Sequence, residues 1–172
     1  MRTHIVLVGL SGSGKTSVGR EVARRLECPF ADIDGRIEER EGATIAELFR
    51  RRGETSFREL ERQAVEVALG EAPGVVSPGA GWAAQPGNLE YVLPRATVIW
   101  LEVTPEAAAR RLRGIDDRPL LKGEELEQRL RSQLAHRGPF YQRAHARLDS
   151  TRRDRSGVAE QIVTLARRLA WW

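Results

Sequence analysis

At 172 residues, 41% hydrophobic and 30% charged, the chain is long enough for one domain with a sizeable core and too apolar to be disordered. Its net charge of +4 comes from 28 basic residues scattered among 24 acidic ones, which reads as a solvated surface with a site for anionic ligands rather than a nucleic-acid face. The single cysteine, Cys28, excludes an intrachain disulfide, and no stretch approaches the roughly 18 apolar residues of a membrane span.

A short apolar strand is predicted at Ile5–Val8. It runs too directly into a glycine turn to be a signal peptide, so the expected location is the cytoplasm. The turn, Gly9-Leu10-Ser11-Gly12-Ser13-Gly14-Lys15-Thr16, matches GxxxxGK[ST] in full. A helix follows over Lys15–Leu26, with Val18, Val22, Ala23 and Leu26 on one face. Strand, glycine turn and helix start are what a phosphate-binding loop needs. The backbone N–H groups turn inward, and the helix start adds unpaired donors and a positive dipole end. Gly12, Ser13, Gly14, Lys15, Thr16 and Ser17 form the nucleotide-binding set, with Lys15 reaching the β- and γ-phosphates and the Thr16 hydroxyl ligating Mg²⁺. Only Lys15 and Lys122 are lysines in a chain that otherwise writes arginine, and a compact ammonium suits a phosphate nest better than a guanidinium.

The second strand, Pro29–Ile33, leads into Asp34. Alternation along an extended chain puts Asp32 and Asp34 on one side, near the loop mouth. One can hold Mg²⁺ through water and the other can orient or deprotonate an acceptor hydroxyl; the competing assignment is a helix cap. Helices are predicted at Gly35–Glu41, Thr44–Arg52 and Glu54–Gly70, the last carrying Phe57, Leu60, Ala64, Val67 and Ala68 at helical spacing. At its start, Arg58 offers a fork for a substrate carboxylate, or pairs on the surface with Glu54. A strand at Gly74–Ser77 runs into Pro78-Gly79-Ala80-Gly81-Trp82, a small-residue turn that either lets a ligand approach the backbone or is simply a turn.

Strand Ala96–Leu101 and helix Pro105–Arg113 come next. The polar segment Gly114–Gly123 is the lid candidate and holds Arg118 in Arg118-Pro119-Leu120-Leu121. Helix Glu124–Tyr141 ends in Arg137-Gly138-Pro139-Phe140-Tyr141, and a weaker strand, Ala146–Asp149, precedes helix Ser156–Leu169 with Val158, Ile162, Leu165 and Leu169 in register. Repeated β–α alternation predicts an α/β fold with a parallel sheet, helices on both faces, and ligands at the carboxyl ends of the strands.

Taken in order, these elements resemble the shikimate kinase family over nearly the whole chain. The matching elements are the phosphate loop, Asp32-Ile33-Asp34 with Ile37-Glu38, Gly53-Glu54 with Phe57-Arg58 and Glu61, the glycine turn, Arg118-Pro119-Leu120-Leu121, and Arg137 with Pro139 and Tyr141. The resemblance implies a three-layer P-loop kinase fold in a single domain over residues 1–172. It has a five-stranded parallel sheet, a lid at about 114–124 and a substrate-binding region at about 33–61. It implies transfer of the ATP γ-phosphate to the 3-hydroxyl of shikimate, with Mg²⁺. Lys15 then stabilises the transferred phosphate, and Thr16 and Asp32 organise the metal. Asp34 holds the acceptor hydroxyl, and Arg118 closes with the lid. Arg58 and Arg137 bind the carboxylate, with Gly79, Ala80 and Gly81 alongside. Arg111 and Arg153 lie beside adenine, and Phe49 and Phe57 wall the acceptor pocket.

The partners expected are small molecules only, with no nucleic acid and no membrane, and the chain acts as a monomer. Three residues depart from the family's usual triple-glycine turn: Pro78, Ala80 and Trp82. If the Ala80 position needs φ > 0, alanine carries a steric cost. Trp82 either reshapes the pocket or packs outside it. The departures leave two alternatives: a kinase for a different carboxylate-bearing polyol, or a catalytically silent ligand sensor on the same fold.

Overall fold

The computed structural model describes residues 3–113 and 123–168. Five parallel strands stand in the order β2-β3-β1-β4-β5. They are β1 (His4–Val8), β2 (Phe30–Asp32), β3 (Val75–Ser77), β4 (Ala96–Glu102) and β5 (Ala146–Asp149). The helices are α1 (Lys15–Leu26), α2 (Ile33–Glu41), α3 (Ile45–Gly70), α4 (Asn88–Val92), α5 (Pro105–Leu112), α6 (Gly123–Tyr141) and α7 (Arg155–Arg168). A 3-10 turn occupies Trp82–Ala84.

Alternation along the strands divides the core. Val6, Val8, Val76, Val98 and Trp100 face one layer with Ile37, Leu48, Phe57, Leu89 and Leu130. Ile5, Leu7, Val75, Ile99 and Leu101 face the other, with Val18, Val22, Ile162 and Val163 of α1 and α7. A sheet covered on both faces needs the near-continuous apolar runs these strands carry. Cys28 packs at the edge of the second layer.

Registers Val8↔Trp100 and Asp32↔Ser77 bring the strand ends to one edge. From that edge emerge the loop at Gly9, the start of α2 and the turn after Ser77. Among the described residues, no helix is long and apolar enough to cross a membrane.

Most predicted elements are present, with small shifts of boundary. The exception that matters is the second strand. It stops at Asp32, and α2 begins at Ile33 rather than at Gly35, so Asp34 stands on the first helical turn and not on an extended chain. On α3, Val65 rather than Val67 faces inward; Val67 is exposed. α4 was not anticipated, because five residues carry too little periodicity. Leu169 and residues 114–122 of the lid candidate, Arg118 among them, lie outside the described residues.

The two helices predicted on either side of Gly53 form one long element with a break. Gly53 has φ 76 and ψ 170, a region almost closed to residues with a Cβ. Thr44 and Glu47 form a capping box at its start. The break separates Phe49 on the first segment from Phe57, Arg58 and Glu61 on the second. No atom lies within 4 Å of where a Cβ would stand at Gly53, so the demand for glycine there is purely conformational. Gly53→Ala should therefore lower unfolding stability by about 1–3 kcal/mol. Urea titration checks this, and an unchanged midpoint would place the break elsewhere.

Candidate active site

The loop after β1 is shaped by glycines at positive φ: Gly9 at 146, Gly12 at 81 and Gly14 at 92. Gly12 also lies against α5, where a Cβ would stand 2.8 Å from the Ala108 carbonyl oxygen. Gly14 then opens α1, with no side-chain cap, leaving the first N–H groups of the helix facing the loop. Lys15 is buried, and its Nζ donates to the carbonyls of Gly9 and Leu10, both at 2.9 Å. Burial lowers its pKa to about 8, with Asp34 pulling it back up and Arg137 pushing it further down. The ammonium is thus held inside the loop by backbone oxygens and faces carboxylates from α2. Ser13 Oγ is buried with no hydrogen-bond partner, and Ser17 Oγ donates to the Gly14 carbonyl at 3.1 Å.

Beside the loop a cleft of about 200 Å³ is lined by Ser13, Gly14, Ser17, Arg111, Ser150, Arg153, Asp154 and Arg155 among others. Arg111 spans it, donating to the Gly12 carbonyl at 3.1 Å and to the carbonyl of Ser150. It ties the phosphate loop to the segment between β5 and α7.

The two aspartates meet near Lys15 by a route the sequence did not suggest. Asp32 ends β2 and stands at the N-cap of α2 without a capping hydrogen bond; its ion pair is a long one, 3.8 Å to exposed Arg20. Asp32 thus occupies the cap position of the helix, as the competing assignment expects, but its side chain makes no capping bond. Asp34 Oδ1 is buried with no hydrogen-bond partner. Burial raises the pKa of Asp34 and the charge of Asp32 adds to it, while Lys15 opposes both. A buried oxygen without a donor marks a place where one is missing.

Across from Asp34 stands the Arg58–Glu61 pair of α3. Arg58 Nη1 donates to Glu61 Oε2 at 2.8 Å, and Arg58 Nε and Nη2 reach Glu54 Oε1 at 3.2 and 3.0 Å. The surface pairing with Glu54 is real, and the guanidinium still faces inward. It lies over both Phe49 and Phe57, whose ring centroids are 4.5 Å apart. Glu61 is fully buried, and its pKa is raised by burial against the pull of Arg58. The sequence named Glu61 only as part of the family motif with Gly53-Glu54 and Phe57-Arg58, with no role attached.

The turn after β3 is built around this pair. A Cβ at Gly79 would stand 2.3 Å from Glu61 Oε1 and 3.1 Å from Asp34 Oδ1; one at Gly81 would stand 2.6 Å from Arg58 Nη2. Neither glycine has a positive φ, and neither does Ala80. Space rather than conformation favours glycine at 79 and 81, since a Cβ there would displace the Glu61 carboxylate or the Arg58 guanidinium, and Ala80, without a positive φ, carries no backbone strain. Trp82 is 1% exposed and belongs to the core; its outer side borders a cavity of about 240 Å³ with Arg62, Val65 and Tyr91, away from the phosphate loop. Of the two readings of Trp82, the structure shows packing in the core.

From the far side, α6 contributes Arg137, which donates to Gln133 at 3.3 Å, and Tyr141, whose hydroxyl donates to the Ala80 carbonyl. Arg137 and Arg58 both lie within electrostatic reach of the Tyr141 hydroxyl. Loop, aspartates, turn and both arginines thus converge at one edge of the sheet. Arg111 and Arg153 lie on the nucleotide flank, and Arg118 is outside the described residues.

The family model described as shikimate kinase matches residues 11–167. A shikimate kinase of Mycobacterium avium is 42% identical over 165 residues, covering 95% of this chain and 93% of that protein. The chain belongs to the shikimate kinase family. Solved members align over 99% of it. The enzyme from Bacteroides thetaiotaomicron has a TM-score of 0.88 at 34% identity over 99% of its own chain. The Acinetobacter baumannii shikimate kinase, in complex with shikimate, has 0.89 at 34% over 94% of its chain. Membership makes this protein an ATP-dependent kinase with an α/β P-loop fold.

Burial pushes the Tyr141 phenol up to about 12, against the opposing charge of Arg137. An ordinary tyrosine loses its proton at about 10. Between these values the unfolded chain gives up the proton first. This group's contribution to stability is therefore complete below about pH 10 and is lost as pH rises toward 12. Ultraviolet difference titration should show one late-ionising tyrosine in the wild-type family member that is missing in Tyr141→Phe. An identical titration in the two proteins would mean the hydroxyl is not buried.

Proposed function

We propose that the protein transfers the γ-phosphoryl group of ATP to the 3-hydroxyl of shikimate. The observation that carries this reading is the convergence of Lys15, the unpartnered Asp34 oxygen, Arg58 and Arg137 around a turn whose two glycines are required by contact. The reading is supported by relatives named shikimate kinase at 37–42% identity across the chain. The departures in the turn do not weaken it: Ala80 is unstrained, Trp82 belongs to the core, and Pro78 is buried directly after β3.

Nucleotide phosphates lie on the backbone of Gly12, Ser13 and Gly14 and on the start of α1, with Ser17 at the flank and adenine between Arg111 and Arg153. Lys15 exchanges the Gly9 and Leu10 carbonyls for phosphate oxygens. That neighbouring negative charge restores the ammonium that burial weakens. Asp34 accepts the hydrogen bond of the acceptor 3-hydroxyl and takes its proton as the oxygen attacks phosphorus. Arg58 and Arg137 bind the acceptor carboxylate, with Gly79, Ala80 and Gly81 presenting backbone and Phe49 and Phe57 behind Arg58. Residues 33–61 form the acceptor-binding region; Arg118 and the lid expected at about 114–124 fall on the segment outside the described residues.

The donors at the loop fit Mg²⁺. The Thr16 hydroxyl and the Asp32 carboxylate, the latter free of any capping bond, suit an ion that takes one or two protein oxygens and completes its shell with phosphate and water. Mg²⁺ there neutralises charge on the nucleotide phosphates. In this reading the protein acts as a monomer, in the cytoplasm where its nucleotide is found.

The test is ADP release from MgATP with and without shikimate, beside a panel of other hydroxy acids. Shikimate-dependent release is expected, with Lys15→Ala and Asp34→Asn each lowering kcat by at least about a hundredfold. Arg58→Ala should raise the acceptor KM and, because it leaves Glu61 buried without its partner, also lower the stability of the protein by about 3–5 kcal/mol. A response only to another acid would assign a different acceptor, and ATP binding with no turnover on any acid would make the protein a sensor.

A second expectation concerns the turn. Gly79→Ala forces its Cβ onto Glu61 and should raise the acceptor KM by about tenfold or more, a larger effect than Ala80→Gly. Equal effects would mean the turn does not depend on that contact.

A further inference from the structure

The turn that faces the acceptor is gripped from two sides. On the α3 side, Glu61 fills the space beside Gly79 and Arg58 fills the space beside Gly81. On the α6 side, the grip is a single hydrogen bond from the Tyr141 hydroxyl to the Ala80 carbonyl. Inside the turn, Trp82 N–H donates to the Gly79 carbonyl at 3.1 Å, and Gln85 Nε2 donates to that of Gly81 at 3.3 Å. Among the described residues, Ala80's is the turn carbonyl held from outside the local chain.

Tyr141 is well placed to hold it. Its side chain is 1% exposed, with the ring against Trp100 of β4, centroids 5.9 Å apart. Its backbone closes the last turn of α6: Gln142 N–H bonds to Gly138, Arg143 to Phe140 and Ala144 to Tyr141 itself, at 2.9 to 3.1 Å. Pro139 fixes one φ in that same turn. A phenol this buried has few ways to move, so the carbonyl it touches is fixed as well. Arg137 lies one helical turn earlier on α6 and beside the same hydroxyl.

We propose that Tyr141 is a positioning residue for acceptor recognition: its hydroxyl locks the Ala80 carbonyl, and with it the turn's backbone, in register with Arg137 on the same helix. The acceptor's ring contacts on the turn and its carboxylate contacts on α6 then share one rigid reference. Packing alone would be served by phenylalanine; the hydroxyl adds the register. This assignment rests on the acceptor reading above. It also accounts for the middle position accepting alanine: that residue contributes its carbonyl to Tyr141, and its Cβ meets no constraint of conformation.

The experiment is Tyr141→Phe, which keeps the ring and removes the bond. The acceptor KM should rise about tenfold, the fold-change of one hydrogen bond, while the KM for ATP stays within about twofold. In the ligand-free protein, amide hydrogen exchange across 78–82 should speed up, while that across 9–17 stays as it was. An unchanged acceptor KM with unchanged exchange would overturn the proposal. So would a general loss, in which both KM values and the melting temperature shift together. Should the wild-type protein ignore shikimate, the acceptor reading alone would fail, and exchange at 78–82 in ligand-free protein would still decide whether Tyr141 holds the turn.

Discussion

The acceptor half of this site depends on one buried ion pair. Glu61 has no contact with solvent, and its charge is supported chiefly by Arg58, 2.8 Å away, with help from the Gly79 backbone. Removing one member of such a pair costs about 3–5 kcal/mol, because the other is left buried and alone. Everything near it is arranged to accommodate the pair. Gly79 and Gly81 have no side chains because the two charged groups occupy that space. Phe49 and Phe57 stack beneath the guanidinium and limit its swing. The break at Gly53 sets the angle at which the two rings meet. An arginine confined in this way keeps its free face pointed where a carboxylate can be bound, with little entropy left to lose.

The nucleotide half obeys a different constraint. Its binding groups are mostly backbone N–H, and the loop is held open by three glycines at positive φ. Lys15 is the one charged side chain inside, and it is satisfied by the loop's own carbonyls. In the proposed reading, phosphate binding is therefore an exchange of partners at Nζ. Asp34 joins the two halves. It is close enough to Lys15 to stabilise its charge, and its unpartnered oxygen sits against Gly79 of the turn.

Local features were the most legible in the sequence. The phosphate loop carries its whole specification in eight residues, and its helix starts at Lys15 as the pattern predicts. The aspartates were correctly brought to the loop mouth, for the wrong reason: alternation assumed a strand through Ile33, whereas the chain turns helical there. The doubt over Ala80 arose because residue identity alone does not distinguish a glycine required by φ from one required by a neighbour. Only the position of Glu61 and Arg58 makes that distinction, and both are far away in the chain. Glu61 itself was visible as a motif residue without a role, since its effect appears only when α3 packs against the turn. Tyr141 likewise stands in the sequence as a motif residue without a role. Its partner lies 61 positions earlier.

The sheet order also has a consequence for how the chain is made. Strand β1 sits in the middle of the sheet yet is built first, and the phosphate loop follows it at once. The turn at 79–81 comes near the midpoint of the 172 residues, but Arg137 and the tyrosine that fastens the turn come only on α6. A growing chain thus carries its phosphate loop well before the acceptor turn, and has no fastened acceptor turn until residue 141 has been added. No contiguous fragment short of that point contains both halves of the site.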